Sequence, residues 1–262
     1  MCISNQTQVK CAKIHSRVLK RSRSLLNKRY WWILIVYAIT QYSILVIAPV
    51  LNFLTPLDKL HASIYGNILG FTLGMIVILM LLRSEMGAQR EPGVATVGQT
   101  IIWSILGIFM AFIGQMIAAN IEVYIFHIET SSENTENIMK ITEIAPLFSI
   151  ITVIIAPILE EVVFRKIIFG TLYKRMNFIL AGIISAVIFG LIHLDPTHLL
   201  IYTAMGLVFA YLYVKTKRII VPIIAHAGMN GIVVLIQSFL TPEYIEKLEQ
   251  QLEQMQTIFY GG

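Results

Sequence analysis

The stretch ITVIIAPILEEVVFRKIIFGTLY, residues 151–173, sets two adjacent glutamates and an arginine inside an apolar run. About 20 helical residues cross a hydrocarbon core of about 30 Å, so this run is long enough to be a membrane span. A carboxylate at the centre of such a span costs about 2.5–3.5 kcal/mol even on insertion scales. Glu160 and Glu161 therefore need partners that the fold supplies.

The whole chain supports a membrane reading. Of its 262 residues, 56% are hydrophobic and 13% charged, and mean hydropathy is +0.74, outside the range of soluble globular domains. Apolar runs at about 31–54, 62–82, 100–121, 145–172, 178–194, 197–214 and 219–240 predict an all-α, polytopic helical bundle of about seven spans. Only a short DPT break separates the fifth and sixth runs, which predicts a tight helical hairpin.

Charge orients the bundle. Residues 1–30 carry Lys10, Lys13, Arg17, Lys20, Arg21, Arg23, Lys28 and Arg29 and no acid. With that arm inside, of the 20 Lys and Arg only Lys59, Lys140 and Lys247 fall outside, so the N-terminus is predicted to be cytoplasmic. The basic excess then reads as contact with the lipid bilayer and not with nucleic acid. The expected location is a cell membrane, multi-pass, which is the plasma membrane if the source is bacterial. No apolar core of a signal peptide precedes residue 31. Cys2 and Cys11 lie in the cytoplasmic arm, where thiols stay reduced.

No linker divides the chain. The organisation read from it is a basic cytoplasmic arm (1–30), N-terminal transmembrane helices (31–144), a second group of spans carrying the polar motifs (145–240) and an amphipathic tail (241–262). The first three runs carry no acid or base. Gly66, Gly70 and Gly74 repeat every four residues in the second run and predict close helix packing.

Ionisable residues inside the spans gather in three patterns: EEVVFR (Glu160, Glu161, Arg165), FGLIH (Phe189, His193) and HAGMN (His226, Asn230). Such groups usually face the bundle interior and mark function. Glu161 and Arg165, four apart, share a helix face and can form an ion pair. Glu160 is turned about 100° from Glu161, so the two acids are expected to diverge, one chemical and one structural. A carboxylate with two histidines can activate water, Glu160 as general base with His193, while His226 and Asn230 donate to an oxyanion. Glu160, His193 and His226 are equally a three-ligand set for a divalent metal such as zinc. His198, just past Asp195-Pro196, reads as a loop residue.

Three such patterns in order resemble the CAAX-protease and bacteriocin-processing (CPBP, Abi) family, which includes the type II CAAX prenyl endopeptidase. The likeness covers about residues 145–240. It implies an intramembrane endopeptidase, of glutamate or metallo type, in which Glu160 and His193 activate water and His226 and Asn230 stabilise the oxyanion. A membrane-embedded or membrane-associated peptide or protein would be the substrate. A non-catalytic member of the same fold, binding a peptide or partner in an immunity or scaffold role, is the alternative. A proton relay is disfavoured because the polar groups cluster and do not string across the bilayer.

Overall fold

The computed structural model describes residues 27–86, 93–128 and 133–239. The predicted tail helix, both cysteines and most of the basic arm lie outside them. Among the described residues the chain is all-α: α1 (Lys28–Tyr42), α2 (Ile44–Leu54), α3 (Lys59–Met86), α4 (Val97–Tyr124), α5 (Glu133–Ile144), α6 (148–172), α7 (Phe178–Ile192), α8 (Leu199–Thr216) and α9 (Ile220–Phe239). All seven apolar runs are helical, and α5 adds a polar helix where the sequence suggested only a loop. α3, α4, α9 and α8 with the turn before it are long and apolar enough to cross a membrane, and α1 with α2, bent by 46°, makes a fifth if taken as one span. At 15 residues, α7 is only about 22 Å long.

Polar N-caps start three helices at the same end of the bundle: Asn27 before α1, Thr96 in a capping box with Gln99 before α4, and Asn177 before α7. That end is also the basic one. Glu85 binds Lys166 Nζ at 3.0 Å and Arg29 at 3.5 Å. Arg218 Nε donates to Ala95 O at 2.6 Å, and Phe169 of α6 meets Tyr213 of α8. Trp31 and Trp32 are exposed beside Arg29, as aromatic residues are at a membrane interface. Large apolar side chains such as Phe53, Met80, Phe109 and Ile179 cover the outside, while Glu161, Arg165 and His226 are buried, the inverse of a soluble domain.

The glycine stripe of α3 receives the bend between α1 and α2. A Cβ at Gly66 would lie 3.1 Å from Ala48 N, and at Gly70 and Gly74 it would collide with the hydroxyls of Ser43 and Thr40. Replacing Gly70 by valine is expected to cost about 1–3 kcal/mol through overpacking, read as a lowered unfolding temperature in detergent. Asn67 of α3 and Gln115 of α4 bury carbonyl oxygens without hydrogen-bond partners among the described residues.

α6 is continuous but not uniform. Pro157 lacks the N–H that an α-helix needs and crowds the carbonyl four residues back. The turns before it, Ile151–Ile155, widen into π-helix, and a second π segment runs over Glu161–Phe169. π turns inside helices recur at functional sites. α7 starts beside Phe169 and Tyr173, and its Phe189 meets Phe164 at 5.2 Å. About 16 Å of α7 thus passes roughly half that length of α6, so α7 is inclined, which carries His193 into the bundle.

Candidate active site

His226, 4% exposed, sits between the two glutamates. Its Nδ1 is 2.9 Å from Glu161 Oε1 and its Nε2 is 3.8 Å from Glu160 Oε2. A carboxylate only accepts, so Nδ1 carries the proton and Nε2 faces Glu160. The separation of 3.8 Å is too long for a direct hydrogen bond, and both atoms can engage a third group placed between them. The expected divergence of the acids is therefore only half right. A π turn advances each residue by less than 100°, and both carboxylates reach one imidazole from opposite nitrogens.

Glu161 has a second partner, as its spacing predicts. Arg165 Nε lies 3.1 Å from Glu161 Oε2, with the two side chains 1% and 0% exposed. The alignment makes it an ion pair without a well-formed hydrogen bond, since Oε2, Nη1 and Nη2 have no hydrogen-bond partner among the described residues. Aromatic faces surround the guanidinium instead, Phe189 at 4.3 Å and Phe209 at 5.2 Å, which supports a desolvated cation. Glu160, 14% exposed, is the more open carboxylate.

His193 caps α7 and its Nδ1 is 2.8 Å from Phe189 O. A carbonyl only accepts, so Nδ1–H donates and Nε2 is left as the lone-pair nitrogen. Its ring is within electrostatic reach of Glu160. Asn230 donates Nδ2–H to Thr152 O at 3.0 Å, tying α9 to the first π segment, and keeps a second amide hydrogen. Glu160, Glu161, Arg165, His193 and His226 thus lie close together on α6, α9 and the C-cap of α7, and Asn230 follows one turn after His226 on α9.

Other members carry no motif. Tyr202 stacks on His193 at 4.2 Å and Phe209 on His226 at 4.8 Å, yet in the sequence both look like ordinary apolar packing. Tyr37 of α1 is buried, accepts from Gln41 Nε2 at 2.6 Å and packs edge-on to Phe164. Its hydroxyl is within electrostatic reach of Glu160.

The donor chemistry of Glu160 with two imidazole Nε2 atoms suits zinc. As placed, no three His, Cys, Asp or Glu side chains among the described residues form a metal-holding set. No step below passes through a metal.

Residues 142–232, from α5 into α9, match the family described as type II CAAX prenyl endopeptidase Rce1-like, and hold all six motif residues. The chain is 44% identical over 244 residues to YdiL of Bacillus subtilis, which carries a membrane-peptidase name, covering 90% of this chain and 99% of that protein. The chain belongs to this family. It is also 34% identical over 235 residues to the membrane-embedded CAAX protease MroQ of Staphylococcus aureus, covering 86% of this chain and 95% of the relative. No solved structure matches it. The family is one of endopeptidases by name, and the likeness to the two relatives, named as a membrane peptidase and a membrane-embedded protease, runs along nearly the whole chain.

Proposed function

We propose that the protein is an intramembrane endopeptidase that hydrolyses a peptide bond of a membrane-associated protein or peptide with a water activated by Glu160 and His193. The observation that carries this reading is the placement of His226 between two carboxylates, with Glu160 Oε2 and His226 Nε2 facing each other at 3.8 Å. Glu160 takes a proton from a water oriented by His193 Nε2, and the hydroxide oxygen attacks the carbonyl carbon. For the oxyanion step His226 carries a second proton on Nε2, taken up from solvent before substrate binds and kept throughout, with Glu161 as its counter-charge. Nε2–H and the spare Asn230 amide hydrogen then donate to the tetrahedral oxyanion. The proton on Glu160 passes to the leaving amine, which closes the balance.

Both named relatives are bacterial, which favours the plasma membrane, with the basic end of the bundle cytoplasmic. It also favours a precursor's membrane-proximal tail over a prenylated CAAX sequence as substrate. The test is hydrolysis of a library of membrane-tethered peptides by the purified protein, comparing wild type with Glu160→Ala, His193→Ala and Glu161→Ala. Cleavage persisting in the first two variants would sink the mechanism, and tight peptide binding without cleavage by wild type would favour the scaffold reading. Hydrolysis that survives exhaustive chelation identifies the carboxylate-base route. Loss of activity restored by added zinc would show a metal requirement, with Glu160, His193 and His226 the residues that would hold it.

Removing Asn230 addresses the oxyanion step alone. Asn230→Ala is expected to lower kcat by about 10²–10³-fold with little change in KM, measured by steady-state hydrolysis of a cleaved library peptide.

A further inference from the structure

Glu122 stands on the last turn of α4, outside the residues that match the family, and is 2% exposed. The apolar run of that span, 100–121, ends one residue before it. Its Oε1 accepts from the backbone N–H of Leu200 at 3.1 Å and Ile201 at 3.2 Å. Its Oε2 is 2.9 Å from His198 Nδ1, and His198, expected in a loop, is buried with it. A carboxylate of α4 thus caps the start of α8, where the helix dipole favours negative charge.

The register of α8 matters because one face of it backs the site. Tyr202, Gly206 and Phe209 fall at helical spacing. Tyr202 stacks on the His193 ring and Phe209 on the His226 ring. Between them, a Cβ on Gly206 would come to 3.5 Å from Arg165 Nη2. α8 is apolar on all sides, so hydrophobic burial alone chooses no rotation; close packing such as Gly206 on Ala186 limits the helix, and directional contacts tie down its ends. These contacts come from α4 and the residue before its N-cap: Glu122 at the start of α8, and at its end Ala95, whose N–H donates to Thr216 O at 3.0 Å and whose carbonyl accepts from Arg218.

We propose that Glu122 is a positioning residue: paired with His198 and the first turn of α8, it fixes the register that lets Tyr202 and Phe209 hold the His193 and His226 rings for hydrolysis. The inference rests on the hydrolytic reading of those two histidines. Loss of this anchor lets α8 slide or rotate and turns both rings together, and misplacement of about 1 Å can cost up to about 10²-fold.

The experiment uses the full-length purified protein with Glu122→Ala, Glu122→Gln, His198→Ala and, as control, Glu160→Gln. Readouts are kcat and KM on one cleaved membrane-tethered peptide, the unfolding temperature, and histidine side-chain ¹H–¹⁵N signals, which need no substrate. Glu122→Ala is expected to lower kcat by about ten- to a hundredfold with KM nearly unchanged, and to shift the signals of both His193 and His226. Glu122→Gln keeps an oxygen for the two backbone N–H groups and should recover activity to within about threefold of wild type. If Glu122→Ala does not fold, the signals of Glu122→Gln and His198→Ala decide. Unchanged ring signals and kcat, with only a lowered unfolding temperature, would overturn the proposal and leave Glu122 a helix cap. Full activity in Glu160→Gln would instead overturn the assignment of Glu160 as the base, whatever Glu122 does.

Discussion

Glu160→Gln is expected to lower kcat by about 10²–10⁴-fold, the contribution of a positioned general base, with KM and the unfolding temperature close to wild type. The amide matches the carboxylate in shape but cannot take a proton from water. Stability should hold because the buried cation is neutralised chiefly by Glu161: the ion pair of Arg165 runs to Glu161 Oε2 at 3.1 Å. Glu160 is also the less buried acid, so leaving it neutral costs little desolvation. Steady-state hydrolysis and thermal unfolding on one preparation check both halves. A variant that keeps kcat within a few-fold of wild type would assign the base elsewhere, and His193 would be the next group to test.

Much of this site could be read in the chain because its parts are short and local. The Glu161–Arg165 pair follows from helix spacing, and the glycine stripe of α3 follows from a repeat of four. What could not be read depends on departures from the ideal helix or on distant pairing. The convergence of Glu160 and Glu161 on His226 needs the π turns of α6, which Pro157 hints at but does not place. Tyr202 and Phe209 belong to a helix whose apolar residues surround it, so nothing marks the two rings that meet histidines. Glu122 and His198 are 76 residues apart, and each alone has an ordinary reading, a helix-end acid and a hairpin-tip histidine. α5 was hidden because its acids and amides read as loop composition, although Ile138, Met139, Ile141 and Thr142 are its partly buried side.

Glu161 is where stability and activity separate. Glu161→Ala is expected to cost about 3–5 kcal/mol, the range for breaking a buried ion pair by removing one partner. Arg165 would be left as a charge that is 1% exposed, with Nη1 and Nη2 already without hydrogen-bond partners among the described residues and only aromatic faces around it. Replacing both members, Glu161→Leu with Arg165→Met, removes the uncompensated cation, and apolar side chains of similar volume often restore or exceed the original stability. Activity should not return with it, because His226 Nδ1 loses the acceptor now 2.9 Å away. Without that carboxylate neither the tautomer nor the imidazolium is held. Unfolding in detergent and hydrolysis of one tethered peptide, measured on the single and double variants, follow the two effects independently. A stable and inactive double variant supports both roles of Glu161, as counter-charge to Arg165 and as orienter of His226. A stable double variant with wild-type kcat would reduce Glu161 to the counter-charge alone. A Glu161→Ala variant as stable as wild type would show that Arg165 finds another anion or reaches water, which the packing of Phe164, Phe189 and Phe209 around its guanidinium argues against.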